Sequence, residues 1–98
     1  MRESTIEKYL NEKVKATGGR SYKWVSPGLR GVPDRIVVLP GGTIFFVELK
    51  APGKEPEPLQ KKRIKELQDL GCDVWSIDSK NDVDAFIHIA KQIAGLSK

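Results

Sequence analysis

Apolar residues recur at helical spacing near both ends of the chain, and in short dense runs between them. Ile6, Tyr9, Leu10 and Val14 fall on one face of a helix, predicting one over about residues 3–17. Ser4 followed by Glu7 fits a capping box, and Gly18-Gly19 stops the helix. Tyr22, Trp24 and Val25 mark a short strand within residues 21–26. A loop punctuated by Gly and Pro follows, from Pro27 to Pro33. Residues 34–39 and 44–50 then read as two strands of a hairpin around Pro40-Gly41-Gly42-Thr43. A second loop, rigid with Pro52, Pro56 and Pro58, leads into a helix over about 58–70 that ends at Gly71. Residues 72–77 form a fourth strand. The polar stretch Asp78–Asp82 supplies N-caps for a last helix carrying Val83, Phe86, Ile87, Ala90 and Ile93.

The order α-β-β-β-α-β-α, with a helix between the third and fourth strands, predicts an α/β fold. A right-handed crossover would make those two strands parallel in a mixed four-stranded sheet flanked by helices. The chain is 98 residues long and shows no repeat or composition break, which fits a single domain over residues 1–98. A core this small makes a homodimer a natural expectation. Cys72 is the only cysteine, so no disulfide framework or cysteine-based zinc site can form within one subunit. With no apolar stretch of membrane length and no apolar leader at Met1–Thr5, a cytoplasmic, intracellular setting is expected. Net charge is +4, which suits a polyanionic partner without naming one.

The chemistry concentrates in two segments. Gly31-Val32-Pro33-Asp34 brings an acid to a strand entry stiffened by proline. Glu48-Leu49-Lys50 ends the run Ile44-Phe45-Phe46-Val47, whose continuous apolar character suggests that both faces are covered. Residues two apart on a strand share a face, so Glu48 and Lys50 stand together while Leu49 points away. Two carboxylates can hold a hard divalent cation, and a nearby ammonium can steer a water, which is what metal-assisted phosphodiester cleavage needs.

The string SPGLRGVPDRIVVLPGG, followed by FFVELKAPG and Gln60, resembles the stand-alone phage or bacterial type of VRR-NUC (virus-type replication–repair nuclease) domain, within the PD-(D/E)xK superfamily. The resemblance implies a restriction-endonuclease-like fold and a Mg²⁺-dependent endonuclease acting on DNA, with Mn²⁺ as surrogate. It implies that Asp34, Glu48 and the Leu49 carbonyl are metal ligands, and that Lys50 contacts the attacking water. Gln60 would help hold that water or the phosphate. A glutamate of the first helix would reach the metal or its waters; Glu7 is the first choice and Glu3, one turn earlier, its rival. The resemblance also implies a homodimer that cuts branched DNA, such as four-way (Holliday) junctions or flaps, in DNA repair.

Arg30 and Arg35 flank the motif loop and are candidates for phosphate contacts; Lys61 and Lys62 could track a DNA backbone. His88, Cys72 and Trp75 read as surface or packing residues, and Trp24 as the tryptophan nearer a dimer or DNA surface. One geometric demand is sharp. A two-residue turn at Gly41-Gly42 would place Asp34 opposite Leu49, on the wrong face from Glu48. A shared cation requires one extra residue, in a longer loop, in a bulge, or from Asp34 lying before regular pairing. The alternatives to a structure-selective nuclease are a restriction-like duplex cutter and a non-catalytic nucleic-acid-binding module on the same fold.

Overall fold

The computed structural model describes residues 1–96. Its elements are α1 (Glu3–Ala16), β1 (Arg20–Lys23), β2 (Arg35–Leu39), β3 (Thr43–Leu49), α2 (Pro58–Asp69), β4 (Val74–Ile77) and α3 (Lys80–Ile93), the α-β-β-β-α-β-α order expected. The four strands lie in the order β1-β2-β3-β4, with β1, β2 and β3 antiparallel in turn and β4 parallel to β3. No helix among the described residues is long and apolar enough to cross a membrane.

Strand alternation divides the sheet into two unlike faces. Val37, Leu39, Phe45, Val47, Leu49 and Ile77 point to one face and are fully or almost fully buried. Against them pack Ile6, Leu10 and Val14 of α1 and Val83, Phe86 and Ala90 of α3. Phe86 meets Phe45 and Trp75 edge-on, with ring centroids 5.5 and 5.3 Å apart. The α2 helix contributes no buried residue to this core. The opposite face carries three rows across the strands: Trp24, Asp34, Glu48 and Ser76; Tyr22, Ile36, Phe46 and Val74; and Arg20, Val38 and Ile44. The apolar run of β3 is therefore not covered on both sides, because Ile44 is half exposed on this second face.

The hairpin meets the geometric demand. Leu39 pairs with Thr43, leaving the three residues Pro40, Gly41 and Gly42 in the connection. Gly42 N–H donates to the Leu39 carbonyl at 3.0 Å. Gly41, at φ 94°, occupies a position that a residue bearing a side chain adopts only with strain.

Several boundaries differ from the sequence reading. β1 is shorter, ending at Lys23, although Trp24 N–H still donates to the Asp34 carbonyl at 2.9 Å. β4 starts at Val74 because Cys72 N–H is taken by the Leu67 carbonyl at the end of α2. The capping box at Ser4 does not form: α1 begins at Glu3 with Arg2 as its N-cap, and the Arg2 carbonyl accepts from Thr5 and Ile6. Ser79 caps α3 by accepting from Asp82 N–H at 3.0 Å, within the polar stretch expected to do so.

Candidate active site

Continuing the β2–β3 register one step past the Arg35–Val47 pair sets Asp34 opposite Glu48, so both acids share the second face of the sheet. Asp34 is half-buried, and its Oδ2 accepts a hydrogen bond from Leu49 N–H at 2.8 Å. That bond binds the strand entry to β3 where the ladder ends.

Glu48 has no exposed surface, and neither carboxylate oxygen finds a hydrogen-bond partner. The Lys50 ammonium approaches Oε2 to 3.6 Å. Burial pushes the Glu48 carboxyl up to about 8, helped by the negative charge of Asp34 and only partly opposed by Lys50. A buried carboxylate with two free oxygens beside a second acid is costly unless protonated or bound to a cation.

Among the described residues no three His, Cys, Asp or Glu side chains group as a metal site. The acids brought together on the second face are the two carboxylates of Asp34 and Glu48. This fits Mg²⁺, which takes few protein carboxylates and fills its shell with water and substrate oxygens.

The helix residues fall differently from the sequence reading. Glu7 is engaged by Arg35, whose Nε and Nη2 both lie 3.0 Å from its Oε2. Arg35 follows Asp34 directly, so alternation turns it to the α1 side of the sheet, away from the acids. Arg35 was expected to face phosphate and Glu7 the metal; instead they fasten α1 to the strand that Asp34 begins. The Glu3 carboxyl is raised, first by burial and next by the charge of Asp34, with Lys50 pulling it down and Glu7 pushing it up. Glu3 therefore shares the electrostatic field of Asp34 and Lys50.

Gln60 lies in the first turn of α2, where its Oε1 accepts from Glu57 N–H at 2.8 Å. Its carbonyl oxygen serves the helix start, and only its amide N–H groups remain to be offered elsewhere. Arg30 and Lys62 are exposed. Lys61 is exposed and lies 3.9 Å from Glu55, a pair of little consequence in water.

Arg63, not among the residues singled out for a site, donates from Nε to the Arg30 carbonyl at 2.9 Å and from Nη1 to Glu66. It fastens α2 to the motif loop. Gly31, at φ 86°, lies so close to Leu59 that an added Cβ would meet its side chain and backbone at 3.0 Å. The sequence signal for this close approach is the glycine itself, three residues before Asp34.

No protein-family model matches the chain. It is 52% identical over 81 residues to a protein of Acyrthosiphon pisum secondary endosymbiont phage 1 named "Putative nuclease p44", covering 83% of this chain and 87% of that one. A solved structure described as "VRR_NUC domain" superposes with a TM-score of 0.82 at 35% identity, covering 87% of this chain and 92% of that one.

Proposed function

The chain belongs to the VRR-NUC nuclease family, and from that premise we propose that it is a divalent-metal-dependent DNA endonuclease. The observation that carries the reading is the buried, unpartnered carboxylate of Glu48, opposite Asp34 and beside Lys50. A binding module has no use for such a group near a polyanion, because an ionised buried acid costs stability and repels phosphate.

In this reading Asp34, Glu48 and the Leu49 carbonyl hold Mg²⁺, with Mn²⁺ able to replace it. The cation supplies charge neutralisation at the phosphate and acidifies water for attack. Lys50 holds the attacking water through its ammonium and takes part in moving its proton. Its charge also favours the ionised form of Glu48. Asp34 keeps its position through the Leu49 N–H bond, so its second oxygen is free for a ligand. The Gln60 amide can donate to a phosphate oxygen, and Glu3, which shares the field of Asp34 and Lys50, can hold outer waters. The half-open second face is the side from which a DNA strand reaches the acids. Branched DNA as the preferred substrate, and a homodimer as the working unit, accord with the modest core and the basic charge of +4.

The test is cleavage of a four-way junction, a flap and plain duplex in Mg²⁺, Mn²⁺ or chelator. Cutting should need metal and disappear in Asp34→Asn, Glu48→Gln and Lys50→Ala. DNA that is shifted but never cut, in any metal, sinks the nuclease reading and leaves the binding module. Light scattering reads the subunit count directly.

A further inference from the structure

The row that holds the two acids does not stop at Asp34. Its next member is Trp24, on the neighbouring strand line, whose N–H donates to the Asp34 carbonyl at 2.9 Å. Strand spacing puts Trp24 roughly 10 Å from Glu48 and about 5 Å from Asp34 along the sheet. Tyr22 and Arg20 precede it on the same face by alternation. The strip thus reads basic, aromatic, aromatic toward the site.

Its side chains are open to a ligand. Tyr22 is 52% exposed, and Arg20 is exposed. Trp24 is half-buried because one side of its ring rests on Phe46, with centroids 5.3 Å apart and planes tilted by 44°. That contact fixes the indole and lowers the entropy cost of stacking on it. Ile44, half exposed beyond Phe46, extends the apolar surface.

We infer that Arg20, Tyr22 and Trp24 form a stacking platform for unpaired bases of the DNA strand entering the site, so that DNA with an unpaired nucleotide beside the cut binds better than unbroken duplex. Paired bases hide their faces in the helical stack, whereas an unpaired base offers its face to an aromatic ring at any sequence. The exposed Arg20, on the same strip, supplies cationic charge that tracks the backbone. A second copy of the chain fits less well. An isologous contact through this patch would carry the same cationic residues on both sides and crowd the approach to Asp34 and Glu48. The choice of DNA as partner rests on the nuclease reading; the preference among DNA forms does not need cleavage.

The experiment measures binding in EDTA, by anisotropy of labelled DNA, to a single strand, a flap and a duplex of equal length. Tyr22→Ala and Trp24→Ala should each weaken single-strand and flap binding by about five-fold or more, with duplex binding changed less than about two-fold. Indole emission should fall on single-strand binding to the unaltered protein, and fall less in Trp24→Phe. Thermal unfolding checks that each variant is folded, and Tyr22→Ala, removing an exposed ring, carries the test if Trp24→Ala is not. Equal losses on all three DNAs, or unchanged emission, overturn the platform. So does a dimeric mass that becomes monomeric in Tyr22→Ala, which would make the strip a contact between copies. Absence of cutting in any metal would remove the nuclease reading while leaving the metal-free preference to be judged by itself.

Discussion

The Lys50 ammonium stands 3.6 Å from Oε2 of Glu48, a carboxylate with no exposed surface and no hydrogen bond. One cation at that distance offsets part of the cost of burial and leaves the rest, so Glu48 holds its proton up to about pH 8. Lys50→Met should raise that value further and weaken Mg²⁺ binding less than it weakens turnover, because the lysine acts on water as well as on Glu48. Calorimetric Mg²⁺ titration beside cleavage rates separates the two effects.

Stability of the metal-free protein should fall as pH rises. The folded carboxyl of Glu48 keeps its proton to about 8, against a value of 4.5 for an ordinary glutamate. Between those limits the native state binds the proton and the unfolded chain does not, so unfolding becomes easier by up to about 1.4 kcal/mol per pH unit. The contribution is favourable below the lower value and fully lost above the higher one. Glu3, also raised, adds in the same direction. Urea unfolding at several pH values should show this slope, and Glu48→Gln should flatten it. Saturating Mg²⁺ should restore stability at high pH, since a ligand that binds only the native state stabilises it.

Gly31→Ala should cost about 1–3 kcal/mol, because it combines a left-handed backbone with a Cβ forced against Leu59. Gly28→Ala, with nothing within 4 Å of its added Cβ, should be close to neutral. Chemical denaturation of the pair tests the contrast, and a fall in activity for Gly31→Ala alone would show that the loop sets the position of Asp34.

The Glu7–Arg35 pair is partly shielded from solvent, its side chains 33% and 14% exposed. Arg35→Ala should destabilise by about 1–2 kcal/mol, more than an exposed pair would and less than a fully buried one. Glu7→Gln should cost less, because an amide oxygen still accepts from the guanidinium. Duplex affinity should hardly change in Glu7→Gln if the pair is a brace between α1 and the strand; a large affinity change would return Glu7 and Arg35 to the DNA surface.

Much of this was legible in the chain. The hairpin and the helix ends are marked by glycine, proline and apolar periodicity, which act locally. Parity along a strand also required that Asp34 and Arg35 face opposite ways, so the burial of Arg35 against α1 could have been read beforehand. The partner of Glu7 could not, because helical phase gives a residue's side of the helix and not what packs there. The Ser4 capping box failed because the helix starts at Glu3, so Ser4 lies inside the first turn, and the N–H groups of Thr5 and Ile6 go to the Arg2 carbonyl. Likewise the tie from Arg63 to Arg30 joins residues far apart in sequence, and no local pattern announces it.

The hairpin connection also fixes register at a distance. Surface turns ordinarily tolerate gain or loss of a residue, since little packs against them. Pro40, Gly41 and Gly42 lie about 20 Å along the strand from Asp34, yet the three-residue connection pairs Leu39 with Thr43 and so brings Asp34 opposite Glu48. A two-residue turn drawn from the same sequence would pair Pro40 with Thr43, set Asp34 on the far side of the sheet from Glu48, and turn the apolar residues of one strand off the core face. An inserted residue can lengthen the loop and leave the register alone, because the buried Val37, Leu39, Phe45 and Val47 hold it. The alternation that buries the core therefore also aligns the two acids, and a sequence that keeps the one keeps the other.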